Sequence, residues 1–191
     1  MNPFDRTTAV PALPNQGGQA NVPGLRQLWL IEARHLLGLT DPRTLPTDLT
    51  GWTLPENGLQ LSEDAQVINL RFLRDRSGYS QKATNSVHGI AYAQALVLEI
   101  PRDHAQTTLF VARMTGRKWV AVYQDGNGLY KLVGTPSQPL RFSAEFKAAP
   151  NGYMCSWTTD TRWPAYHLAE QPGRWLLDAE FSYGFSYDFY S

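Results

Sequence analysis

Internal disulfides are excluded at once, because the 191-residue chain holds one cysteine, Cys155. It lies in a strand-like run, Tyr153 to Thr158, and reads as a small buried hydrophobe. No apolar run approaches the roughly 20 residues that a bilayer-spanning helix needs. The first residues, MNPFDRTTAVPALPNQGG, contain no apolar signal core, so neither secretion nor membrane insertion is expected. Net charge is missing as well: 17 Lys plus Arg balance 17 Asp plus Glu. No overall field therefore draws the protein to an anionic membrane or to nucleic acid, and sequence-specific nucleic-acid binding is not expected.

The usual signatures of chemistry are also scarce. His35, His88, His104 and His167 are far apart, without i, i+4 pairs or zinc spacing. Asp125-Gly126-Asn127-Gly128 resembles the start of a calcium loop, but Leu129 and Pro136 stand where ligands belong, so it reads as a hairpin turn. There is no nucleophile elbow, phosphate loop or dinucleotide fingerprint. Nothing in the spacing of Glu32, Glu56, Glu63 and Asp64 singles out a catalytic pair. Arg71, Arg74, Arg76 and Lys82 read as a solvated strand end and turn rather than a phosphate patch. No catalytic residue, metal or cofactor is expected.

What the sequence does have is strand pattern. Hydrophobic residues make up 42% of the chain, enough for a real core, and aromatic residues 12%. The stretch from Arg117 to Phe146 reads as three consecutive antiparallel strands. Trp119, Ala121 and Tyr123 form one row, and Val120 and Val122 sit in the other. Both rows are mostly apolar, so this strand is expected to be covered on both faces. From Leu140 to Lys147 the alternation is strict. Leu140, Phe142, Ala144 and Phe146 are expected to share a buried face, opposite Arg141, Ser143, Glu145 and Lys147.

Residues 1–23, rich in Pro, Gly, Asn and Gln, read as a flexible N-terminal arm, leaving residues 24–191 as a single β-rich domain. Leu25 to Leu37 favours a strand over a helix. A long loop near 38–64, with a short strand at Trp52 and Leu54, is a candidate intersubunit segment. Residues 65–74 form a strand with Ile68, Leu70 and Phe72 inward. Tyr79 to Pro101 is a long strand or a bent pair, with Gly89 marking a bulge. Residues 103–114 are the one helix, with Asp103 as N-terminal cap and Gly116 past its end. Tyr153, Cys155 and Trp157 share a strand face. At the C-terminus Phe181, Tyr183, Phe185, Tyr187 and Phe189 alternate with smaller or polar residues. A free aromatic strand is an aggregation hazard, so it is expected to pair with its own sheet or with another subunit. These five residues, with Trp52 and Trp163, are the candidate assembly contacts.

The order of parts resembles that of uncharacterised prophage proteins encoded beside tail and baseplate genes. The resemblance is carried by a strand ending in Ile100-Pro101, the Asp125 to Gly128 turn, Gly134, and Pro139 to Ser143, and covers about residues 24 to 160. It implies a tail-tube-like fold: mainly β, an antiparallel β-sandwich or barrel with one short flanking helix. Such proteins form rings, commonly sixfold, around a lumen. The expected function is a non-enzymatic structural component of a phage tail or related contractile injection apparatus. It would assemble with itself into a hexameric ring, and with other tail or baseplate proteins, in a virion or phage-like particle built in the host cytoplasm. Two alternatives stay open: a β-barrel module binding a ligand or carbohydrate through exposed Trp52, Trp163 and Tyr166, and an enzyme whose site is assembled in space.

Overall fold

A computed structural model describes residues 21–41, 44, 52–55, 57–70, 72, 74–86, 89–149 and 151–169. In chain order its strands are β1 (Leu25–Glu32), β2 (Leu36–Leu39), β3 (Thr53–Leu54), β4 (Leu59–Leu61), β5 (Val67–Leu70), β6 (Ser77–Ser86) and β7 (Gly89–Pro101). After helix α1 (Ala105–Met114) come β8 (Lys118–Asp125), β9 (Tyr130–Val133), β10 (Leu140–Ala148), β11 (Asn151–Thr161) and β12 (Tyr166–Leu168). The fold is mainly β. One 10-stranded sheet holds all but β2 and β4, which pair separately. Its ladders are antiparallel except β12 with β3, so the sheet is mixed.

β8 is the axis, for the reason its sequence implies. Trp119, Ala121 and Tyr123 enter one core, with Leu28 and Leu30 of β1 and Leu96, Leu98, Cys155 and Trp157 from β7 and β11. Val120 and Val122 enter a second core, with Trp29, Ile31, Leu132 and Tyr166. A strand with two apolar rows has no stable place except between two layers. β1 lies along the whole of one edge of β8. β9 and β10 share the other edge: β9 takes Ala121 to Gln124, and β10 takes only Trp119 and Lys118. The sheet forks there. One branch runs β9-β12-β3 and the other runs β10-β11-β7-β6. The second branch folds back over the first core, bringing Tyr79 of β6 within 4.9 Å of the Tyr123 ring. Among the described residues no ladder joins β6 to β5, so the sheet does not close into a barrel.

Several local expectations need correction. The three strands from Arg117 to Phe146 are not a simple meander, because β10 pairs with β8 and β11 rather than with β9. Gly134, at φ +77, turns the chain away from β9, and its missing side chain lets Leu140 approach. Gly89, at φ +110, is no bulge; it is the first residue of β7 and pairs with Ser86 of β6. The helix begins at Ala105 with His104 at the N-cap position, and Asp103 accepts a hydrogen bond from the Thr108 hydroxyl instead. Leu140, Phe142, Ala144 and Phe146 do share a face, but it is buried only at Leu140; Phe146 is 46% exposed.

The residues just before β1 are tied to the β8–β9 turn. Gly126 donates its N–H to the Gly24 carbonyl, the Asn127 side chain accepts from the Val22 N–H, and its amide bonds Asn21. A Cβ on Gly126 would collide with the Val22 carbonyl oxygen. Gly126→Ala should therefore detach residues 21–24 while leaving the sheet intact. Hydrogen exchange should accelerate at Val22 by at least ~10-fold, the equivalent of a lost bond worth about 1.4 kcal/mol, with little change in β8. Unchanged protection at Val22 would refute this. Residues 1–20 of the expected arm lie outside the described residues.

Candidate functional site

The four-stranded branch β10-β11-β7-β6 carries the three longest ladders among the described residues. Its registers are long and regular: β10 with β11 from Arg141–Thr158 to Ala148–Asn151, β11 with β7 over ten pairs, and β7 with β6 over ten. Its inner face packs on the first core through Leu96, Leu98, Cys155 and Trp157. Its outer face is mixed: Ser143, Ser156, Ala95 and Ser80 share it with Met154 and with Val97, which is 36% exposed, and a 2.8 Å hydroxyl bond joins Ser143 to Ser156. Burial pushes the Cys155 thiol up to about 12, so it is an inert hydrophobe, as its sequence context suggests.

Both margins of this branch are open among the described residues. β6 pairs only with β7, and its residues Ser80 to Asn85 are all exposed. β10 leaves β8 after Arg141, so Phe142 to Ala148 have a partner on one side only. The core-facing row thins along that open edge. Phe142 and Ala144 are half-buried and Phe146 is exposed, with rings resting on Trp157 and Tyr153. Open backbone beside apolar side chains is what natural sheets normally hide.

A buried amide bridges this branch to the loops beside it. Gln94 of β7 is 2% exposed and sits at the fork. Its Nε2 donates to the Thr161 hydroxyl at 2.9 Å and to the Trp163 carbonyl at 3.2 Å, and its Oε1 accepts from the Gly134 N–H at 3.4 Å. Gln81 of β6 continues the bridge by accepting from the Ala165 N–H at 2.8 Å. These bonds stitch β6 and β7 to the segment entering β12. The cleft beside them, lined by Gln94, Gln138, Trp163 and Tyr166, has room for about one water. Glu99, also buried, is paired with Arg76 at 2.7 Å.

Of the candidate contact residues, Trp52 and Trp163 come together, with ring centroids 6.3 Å apart. Trp52 also stacks on Tyr166 at 5.1 Å and donates from its indole nitrogen to the Ala165 carbonyl. Tyr166 is buried and both tryptophans are half-buried, so the exposed aromatic platform expected of these three is not formed. Phe181, Tyr183, Phe185, Tyr187 and Phe189 lie outside the described residues, as does His88.

Catalytic groupings are sparse. His35 Nδ1 meets the Ser62 hydroxyl at 2.9 Å and Asp64 at 3.4 Å. Both contacts fall on the same ring nitrogen, whereas a relay needs the acid on one and the nucleophile on the other. The Ser62 hydroxyl and the backbone hold the exposed Asp64 carboxyl below its ordinary value. Burial, then the charge of Lys131, lowers the pKa of His167, and that cation makes the site a poor one for a metal. Among the described residues no three His, Cys, Asp or Glu side chains converge as metal ligands, and no helix is long and apolar enough to cross a membrane.

Comparison with protein-family models, with curated proteins and with solved structures finds no match for this chain.

Proposed function

We propose that the protein is a non-enzymatic structural component that assembles with itself into a ring, as part of a phage tail or related injection apparatus. One observation carries the ring: the open margins of the β10-β11-β7-β6 branch are complementary. They lie on opposite sides of one sheet, and four successive antiparallel strands make β10 and β6 run in opposite directions. β6 of one copy can therefore add to β10 of the next as one more antiparallel pair. Such a contact joins two different surfaces, so repeating it generates a closed ring when the rotation permits, and a filament when it does not. The rest of each domain packs on the inner face of the branch, which turns the outer face towards the lumen. The attribution to a tail apparatus, and the expectation of sixfold order, rest on the sequence resemblance alone.

Size-exclusion chromatography with light scattering tests the ring, followed by electron microscopy of the assembled fraction. A discrete oligomer with rotational symmetry is expected. A protein that stays monomeric from micromolar to millimolar concentration would end this reading.

A further inference from the structure

Resting on that reading, we infer the register of the subunit contact: Lys82 of β6 lies directly opposite Glu145 of β10 in the neighbouring copy. The side-chain rows restrict the choices. Tyr79 stands opposite Leu96 and so points inward, which leaves Gly78, Ser80, Lys82 and Thr84 outward. On β10 the outward row is Arg141, Ser143, Glu145 and Lys147. Outward must meet outward if the sheet is to continue, so Lys82 faces one of those four.

Charge and sheet geometry separate the four. Opposite Arg141 or Lys147, Lys82 would make a like-charge cross-strand pair, which is unfavourable. Ser143 offers no charge. Glu145 alone is complementary; it is exposed, and among the described residues its ion pair is a 3.5 Å contact with Lys147, also exposed, two residues along. Pairing Lys82 with Glu145 also puts Lys147 opposite Ser80, Ser143 opposite Thr84, and Ala144 opposite Ala83. The inner row then brings Gln81 to Phe146 and Asn85 to Phe142, covering the two rings that the single copy leaves partly open.

The stagger agrees with closure. Within one copy Lys82 is level with Ala93 and Asp160, and hence with Pro139 by continuation of the β10–β11 register; Glu145 is six residues further on. Six residues are about 20 Å along a strand, and four strands about 19 Å across. The resulting tilt of about 45° lies at the top of the 35–45° range of closed barrels. Facing Arg141 would give only about 20° and facing Lys147 more than about 50° by the same measure. Facing Ser143 gives about 35°, so charge decides between the last two.

The test compares K82E, E145K and the double exchange K82E/E145K with the unaltered protein, by light scattering across a dilution series in moderate salt. Each single variant is expected to raise the concentration for half-assembly at least ~10-fold, and the double exchange to restore it. Circular dichroism melts below the assembly concentration should match throughout, because both side chains are exposed in the single copy. A second measurement fixes the register directly: Ala83→Cys with Ala144→Cys should form a disulfide between subunits under mild oxidation, undisturbed by the buried Cys155. If the unaltered protein assembles while the single variants assemble equally well, or the exchange fails to restore assembly, the register is wrong and the ring stands. Failure of the cysteine pair to link also overturns the register. If the unaltered protein never assembles, the ring reading falls and this contact with it.

Discussion

Trp119→Ala should cost about 4 to 6 kcal/mol, a large part of the roughly 5–15 kcal/mol of net stability expected for a domain of this kind. Trp119 is 2% exposed and stands where β8 meets both β1 and β10. Truncating a buried Trp typically costs about 3–5 kcal/mol through lost contacts and a cavity. Here a hydrogen bond goes as well. The indole nitrogen donates to the Met114 carbonyl at 3.2 Å, holding the end of α1 against the sheet, and removing it leaves that carbonyl without this donor, worth about 1 kcal/mol more. Trp119→Phe keeps most of the apolar contact and should cost about half as much. Urea unfolding of the three proteins, with midpoints compared at equal slope, measures both steps. A loss below ~2 kcal/mol for the alanine variant would mean that β8 is not the axis of the core.

That axis was readable from pattern alone. Two apolar rows in KWVAVYQ admit only a strand covered on both faces, and Asp125 to Gly128 admits little but a hairpin turn. The parity of Ile90, Tyr92, Leu96, Leu98 and Ile100 was equally legible, as was that of Tyr153, Cys155 and Trp157, because alternation is local. The fork was not. Whether β10 follows β9 or returns to β8 depends on Gly134 and on a contact between Leu140 and Trp119, and neither leaves a periodic trace. The exposure of Phe146 was misread for a related reason. Alternation says which side a residue faces and nothing about whether another layer reaches it. The candidate surface was legible only in part. Arg141, Ser143, Glu145 and Lys147 read correctly as a wet row, but that β6 and β10 bound the same four strands is a fact of topology. Trp52 and Trp163 read as exposed aromatics, and the fold half-buries them, packing Trp52 on Trp163 and on Tyr166.

Gln94 is the residue that sequence reading passed over, and Gln94→Leu should destabilise the protein by about 2 to 4 kcal/mol although it replaces a polar group with an apolar one of similar volume. Its position in QALVLEI is that of a core residue, so a glutamine there looks like an error in the pattern. The structure supplies the reason. At the fork, two loop backbone groups, the Gly134 N–H and the Trp163 carbonyl, and the Thr161 side chain at the end of β11 bring polar atoms into the interior. One amide answers all three. Leucine would leave the Gly134 N–H without this acceptor and remove a donor from the Trp163 carbonyl, each worth about 1–3 kcal/mol when buried. The Thr161 hydroxyl already donates to Trp163 at 2.6 Å, which tempers the second loss and sets the lower end of the range. Gln94→Glu separates shape from charge. It keeps an acceptor for Gly134 but brings a carboxylate towards the Trp163 carbonyl oxygen, so it should be the worse variant at pH 8 and improve at pH 5 as the carboxyl is protonated. Because Gln94 fixes β7 relative to β9, either variant should also loosen β6, detectable as faster amide exchange at Gln81 and Lys82. Equal unfolding midpoints for the leucine variant and the unaltered protein would show that water satisfies these groups and that the amide does not hold the two branches together.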